Sequence, residues 1–153
     1  MKVYLVQHGK AKSKEEDPRR GLSEEGIEAS GKVALWLSGR SIQVNAIFHS
    51  DKLRARETAR IFSEHLTVSV KTEERDGLSP NDDPAIWKEA LEKEDEDIML
   101  VGHLPQLSKL ASLLLCDTSD REMVSFTNSG VLCLEKEGRR WVVKWMIIPQ
   151  LIS

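Results

Sequence analysis

Cysteine is scarce in this chain. Cys116 and Cys133 stand far apart and form no C-x-x-C pair, which leaves either a lone disulfide or two free thiols. The expectation is two free thiols in a reducing cytoplasm. The histidines, His8, His49, His65 and His103, show no close ligand spacing, so neither a metal site nor any cofactor is predicted. No apolar run approaches the roughly 20 residues that span a bilayer. The opening run Met1–Val6 stops at Gln7 and His8, too short for the core of a signal peptide. A G-x-x-x-x-G-K-[ST] loop is missing, which removes the P-loop nucleotide hydrolases. A net charge of −3 offers no electrostatic basis for binding nucleic acid. Repeats, low-complexity tracts and linkers are also lacking, so residues 1–153 are expected to fold as one domain around one core.

What is present alternates between strand and helix. Lys2–Val6 reads as a buried strand. A polar stretch from Lys10 to Gly21 follows, longer than the ~2–6 residues usual between strand and helix. Ser23 is placed to cap a helix, with Glu24 and Glu25 favourable at its N-terminus. Ile27, Ala34 and Leu37 share one face of this helix, which ends near Gly39. Ala46–His49 is a second strand. A helix then starts near Lys52–Leu53, with Ala55, Thr58, Ala59, Phe62 and Leu66 at helical spacing. Val68–Lys71 is a third strand, and Asp76–Pro84 is a loop. Pro84 opens a helix to about Glu94. Ile98–Val101 is continuously apolar, as in a central strand. Pro105 opens a last helix with Leu107, Leu110, Ala111 and Leu114 on its face, and Val131–Lys136 and Trp141–Ile147 form a hairpin. The prediction is an α/β single-domain layered fold. Its central sheet is mostly parallel, with helices on both faces and a C-terminal antiparallel hairpin.

In such sheets, ligands bind beyond the carboxyl ends of the strands. Three strands here run into reactive or cationic residues: Gln7-His8-Gly9, then Ser50 leading to Arg54, then Gly102-His103-Leu104-Pro105. Two imidazoles and a guanidinium would meet there beside helix N-termini, a constellation suited to phosphate.

These segments also carry a resemblance. Leu5–Ala11, L-V-Q-H-G-K-A, resembles the R-H-G motif of the histidine phosphatase superfamily. Leu22–Gly26 resembles its L-[ST]-x-x-G, and Ser50–Ala59 its S-P-x-x-R-A-x-Q-T-A. His103-Leu104-Pro105 and Phe126-Thr127-Asn128-Ser129 are similar to the H-L-P and F-T-x-S of SixA-type phosphohistidine phosphatases. The match runs in order over nearly the whole chain. The resemblance implies that His8 attacks phosphorus, Arg54 holds the phosphate and His103 stabilises its charged oxygens, without a metal. Gln7, Gly9, Arg20, Ser50 and Asn128 are expected to line the substrate site. Gly9 would let the backbone pass close to the phosphate.

Two positions depart from the family. Gln7 stands where the family has arginine, removing one fixed charge. A charge-assisted hydrogen bond contributes about 1.5–3 kcal/mol against roughly 0.5–1.5 for a neutral one. Lys10, Lys12, Arg20 or Lys52 is expected to compensate, Arg20 being preferred because it directly precedes the L-S-x-x-G segment. Asp51 replaces the usual proline and should turn away or pair with Arg54 or Lys52. Elsewhere the plainer readings apply. His49 is a bystander, His65 is a surface residue, Arg56 and Arg60 are solvated, and the tryptophans cover the core or hairpin.

Phosphomonoesterases need an acid for the alkoxide leaving group. Asp76, Asp82 and Asp83 stand in the appropriate region, none within a recognisable acid motif. A phosphohistidine substrate needs less help, because its leaving group resembles the nucleophile. The expected function is a cytoplasmic protein phosphohistidine phosphatase of signal transduction. Its expected partner carries phosphohistidine, as a histidine phosphotransfer domain does, and neither nucleic acid nor membrane is bound. The alternatives are a small-molecule phosphomonoesterase of the same superfamily and a weakened phosphate-binding relative.

Overall fold

In the computed structural model, which describes Met1–Ser153, four strands run parallel and carry their carboxyl ends to one edge. They are β1 (Lys2–Gln7), β2 (Gln43–His49), β3 (Thr67–Glu74) and β4 (Ile98–Gly102). The hairpin strands β5 (Val131–Glu137) and β6 (Arg140–Ile147) extend the sheet antiparallel beside β1. The order is β3-β2-β4-β1-β5-β6, so the continuously apolar β4 lies centrally and all five of its residues are buried.

Helices α1 (Glu24–Ser38) and α2 (Leu53–His65) cover one face. There Val33, Ala34, Leu37, Ala55, Ala59 and Phe62 pack on Tyr4, Val6, Met99 and Val101. Helices α3 (Ala85–Glu92) and α4 (Gln106–Cys116) cover the other face, where Trp87, Leu91, Leu107 and Leu110 meet Val3, Leu5 and Leu100. The alternation of β1 between the two clusters is the period-two pattern of a strand buried on both sides.

Ser23 caps α1 by accepting the Gly26 N–H at 3.1 Å. Ile27, expected on the buried face of α1, is 50% exposed. Gly26, Ser30 and Val33 take that face instead, because the helix sits too close to the chain after β1 for a large side chain at its first turn. The helix opened by Pro84 ends at Glu92 rather than Glu94. Trp87 and Trp141 are buried, and Trp36 and Trp145 are partly buried against the core. Both cysteines are unpaired. No helix is long and apolar enough to cross a membrane.

Candidate active site

The parallel register sets the site. Gln7 lies opposite Gly102, so the next residues, His8 and His103, leave adjacent strands side by side. Their ring centroids are 4.8 Å apart, and the His8 N–H donates to the Gly102 carbonyl at 3.0 Å. A one-residue slip would turn one ring to the other face.

His8 Nδ1 lies 2.6 Å from the Gly9 carbonyl. A carbonyl only accepts, so Nδ1 carries the proton and Nε2 keeps a free lone pair. Burial, then the charges of Arg54 and Arg20, push the His8 pKa down to about 4 against the opposing pull of the Gly9 bond. The His103 pKa is pushed down to about 3 by burial, then by His8, Arg54 and Lys52, with Asp51 opposing. Both rings are therefore neutral near pH 7.

Arg54, in the first turn of α2, is partly buried. Its pKa is lowered by burial and then by Arg20, which places two guanidinium groups in one electrostatic neighbourhood with His8. Arg20 reaches there from the long loop in a left-handed conformation, φ 49°, with its Nε donating to the Lys12 carbonyl at 3.1 Å. Of the cations expected to stand in for the charge absent at Gln7, Arg20 is the one that acts on both His8 and Arg54. Lys10 is tied to Glu25 at 2.7 Å on the surface, and Lys52 reaches His103 only as a minor influence. Gln7 closes β1 with its side-chain oxygen buried and unpartnered.

Three residues expected to line the substrate site are turned to other work. Gly9 is a packing glycine: a Cβ there would lie 2.7 Å from Ser30 Oγ and 3.0 Å from the Gly26 carbonyl. Its N–H donates to Thr58 Oγ1 at 2.9 Å, so it is spoken for within the protein. Ser50 is wholly buried, with Oγ 2.6 Å from His103 Nε2. Asn128 donates its side-chain N–H to the His8 carbonyl at 2.8 Å, while the Ser129 N–H bonds the Gln7 carbonyl at 2.9 Å. Both bonds hold the backbone at Gln7 and His8.

Sequence reasoning put Thr58 only on the apolar face of its helix and assigned Glu57 no part. Thr58 links the Gly9 N–H to the Arg54 carbonyl, and Glu57 accepts the Leu22 N–H at 2.8 Å. Their signal was the E-T following Arg54-Ala55-Arg56. Two of the loop acids are engaged locally, Asp82 accepting the Ser79 N–H and Asp83 the Ala85 N–H, while Asp76 accepts from Trp87 Nε1 through its main-chain carbonyl. Asp51 pairs with Lys52 at 3.9 Å, not with Arg54, and accepts from Ser79 Oγ at 2.9 Å. It is the one carboxylate whose charge reaches His103. His49 is buried, its Nδ1 2.8 Å from the Ser50 carbonyl. His65 is exposed, and Arg56 and Arg60 pair with surface glutamates. The larger clefts, of about 470 and 490 Å³, hold neither histidine.

The family model described as histidine phosphatase superfamily (branch 1) matches residues 3–78, the stretch holding His8, Arg20 and Arg54. The chain belongs to the histidine phosphatase superfamily. It is 25% identical to the phosphohistidine phosphatase SixA of Escherichia coli (strain K12), over 97% of this chain and 94% of that one. The fold matches the structure of the protein histidine phosphatase SixA complexed with tungstate, with a TM-score of 0.86 and 23% identity over 98% of both chains. It also matches a phosphoserine phosphatase mutant from Entamoeba histolytica in complex with phosphoserine. There the TM-score is 0.70 at 15% identity, over 97% of this chain and 98% of the other. Gln7 and Asp51 are the two positions where the motifs depart from the resemblance, and Arg20 acts on His8, the residue after the first of them.

Proposed function

We propose that this histidine phosphatase removes phosphate from phosphohistidine on a protein, through a phospho-His8 intermediate. The observation that carries the proposal is the His8 ring itself: neutral, bonded through Nδ1 to the Gly9 carbonyl, and left with a lone pair on Nε2 in the field of Arg54 and Arg20.

In the first step the Nε2 lone pair forms a bond to phosphorus as the bond from phosphorus to the substrate ring breaks; that ring carries a proton on its other nitrogen and leaves as neutral imidazole. Positive charge develops on His8, and the Nδ1–H bond to the Gly9 carbonyl strengthens as it does so. Arg54 and Arg20 hold the phosphoryl oxygens, Arg54 with the planar fork that matches two of them. Water then attacks phosphorus, the bond to Nε2 breaks, and His8 returns to its neutral form. Nucleophile and leaving group are both imidazoles, so the transfer is nearly balanced and asks little of an acid. The similarity to SixA supports this substrate class. On this reading the partner is a protein such as a histidine phosphotransfer domain, and the cations of the site make a metal unnecessary.

One observation favours a second reading. Asp51 is the carboxylate whose charge reaches His103, and a carboxyl group so placed is the candidate proton donor to an alkoxide leaving group. A panel of phosphohistidine proteins and phosphate monoesters, assayed with chelator present, decides between them. The proposal expects kcat/KM to be highest on phosphohistidine and unchanged by chelation. Preference for a monoester, with activity lost in Asp51→Asn, would establish the second reading.

A further inference from the structure

We propose that Ser50 is a positioning residue. It holds His103 in the neutral tautomer with its proton on Nδ1, so that the ring presents an N–H to a phosphoryl oxygen. The last clause rests on the phosphatase reading above; the tautomer does not.

Ser50 follows β2 and is completely buried. Its Oγ lies 2.6 Å from His103 Nε2 and also accepts the Lys52 N–H at 3.3 Å. A hydroxyl has one proton to give. If Ser50 donates it to Nε2, the hydroxyl is satisfied in both directions, and the remaining ring nitrogen carries the hydrogen. If Nε2–H donates instead, the serine proton is left buried without an acceptor, and the Nδ1 lone pair is buried without a donor. The first arrangement leaves one polar atom waiting, the second leaves two.

The waiting atom is His103 Nδ1, which is buried and has no partner in the protein. As a donor it suits an anionic oxygen, which is what the neighbouring cations gather. A serine this close to a histidine also has the geometry of a nucleophile with its base. Ser50 is inaccessible, however, and no acid orients Nδ1, so the hydroxyl serves the ring. Charge supports the neutral form: His8, Arg54 and Lys52 all oppose a cationic His103, and Asp51 alone favours it.

Long-range 1H–15N correlation on the free, full-length, 15N-labelled protein at pH 7 reads the tautomer directly, with His103 assigned by its loss in His103→Gln. The expected result is a protonated Nδ1 and an unprotonated Nε2. In Ser50→Ala, hydrogen should redistribute toward Nε2, and the affinity for inorganic phosphate should fall about 10- to 100-fold, as when an outer partner of a ligating histidine is lost. A proton on Nε2 in the wild type would overturn the proposal even if Ser50→Ala fails to fold. So would an unchanged tautomer in a folded Ser50→Ala, whereas unchanged phosphate affinity beside a shifted tautomer would overturn only the clause about the phosphoryl oxygen. Because the ring is read without substrate, failure of the phosphatase reading would leave the tautomer result standing.

Discussion

Gln7 carries no charge, and Arg20 acts on the adjoining His8 from a different part of the backbone. The arrangement has a measurable consequence if both face the bound anion. Arg20→Ala should weaken inorganic phosphate binding by roughly tenfold, the ~1.4 kcal/mol that separates a charged from a neutral hydrogen bond. Gln7→Arg should tighten it by a similar factor in a calorimetric titration, while kcat stays level or falls because ground state and product are bound as well. Weaker binding in Gln7→Arg would mean that Arg20 already occupies the arginine position. Arg54→Lys should lower kcat/KM strongly with the circular dichroism unchanged, since a point charge cannot reproduce the fork. A near-normal rate would remove Arg54 from the phosphate clamp.

The two neutral histidines also set an acid limb. His8 is lowered from 6.5 to about 4, and His103 from 6.5 to about 3. Below pH 6.5 the unfolded chain takes up protons that the folded chain refuses, so the folded state loses stability as pH falls from 6.5 through 4 and then 3. An NMR titration of the free protein should show His8 neutral at pH 5.5. Half-protonation near 6.5 would mean that burial and the two arginines do not act on the ring as described.

Element packing explains which parts of the site could be read in advance. The strand ends and the order of motifs were legible, because hydrophobic runs mark strands and His8, Arg54 and His103 follow such runs or open a helix. The supporting bonds were not. Gly9 invites a phosphate explanation, yet it is small because α1 crosses it, and Gly26 answers it from the helix side: a Cβ at Gly26 would lie 2.2 Å from the Lys10 carbonyl. Ser50 and Asn128 look like substrate ligands in sequence, but their partners are a ring and a carbonyl from distant segments. Spacing along the chain does not encode those pairings. Two glycines of α1 test the packing account. Gly26→Ala should cost about 1–3 kcal/mol through overpacking. Gly31→Ala has open space around its new methyl group and should gain up to about 1 kcal/mol from helix propensity. Opposite shifts in Tm are expected; a stabilised Gly26→Ala would mean that α1 does not press on the loop after β1.

For the whole molecule, the parallel strands β1, β2 and β4 carry His8, Ser50 and His103 to one edge, and the loops before α1 and β5 close around them. Everything proposed converges on a single atom, His8 Nε2. The measurement that tests it most directly is transfer from a radiolabelled phosphohistidine donor to the purified protein, quenched during turnover and mapped by peptide. The label should be acid-labile, base-stable, confined to the peptide bearing His8 and absent in His8→Ala. Label on a serine or aspartate, or undiminished turnover in His8→Ala, would contradict the account.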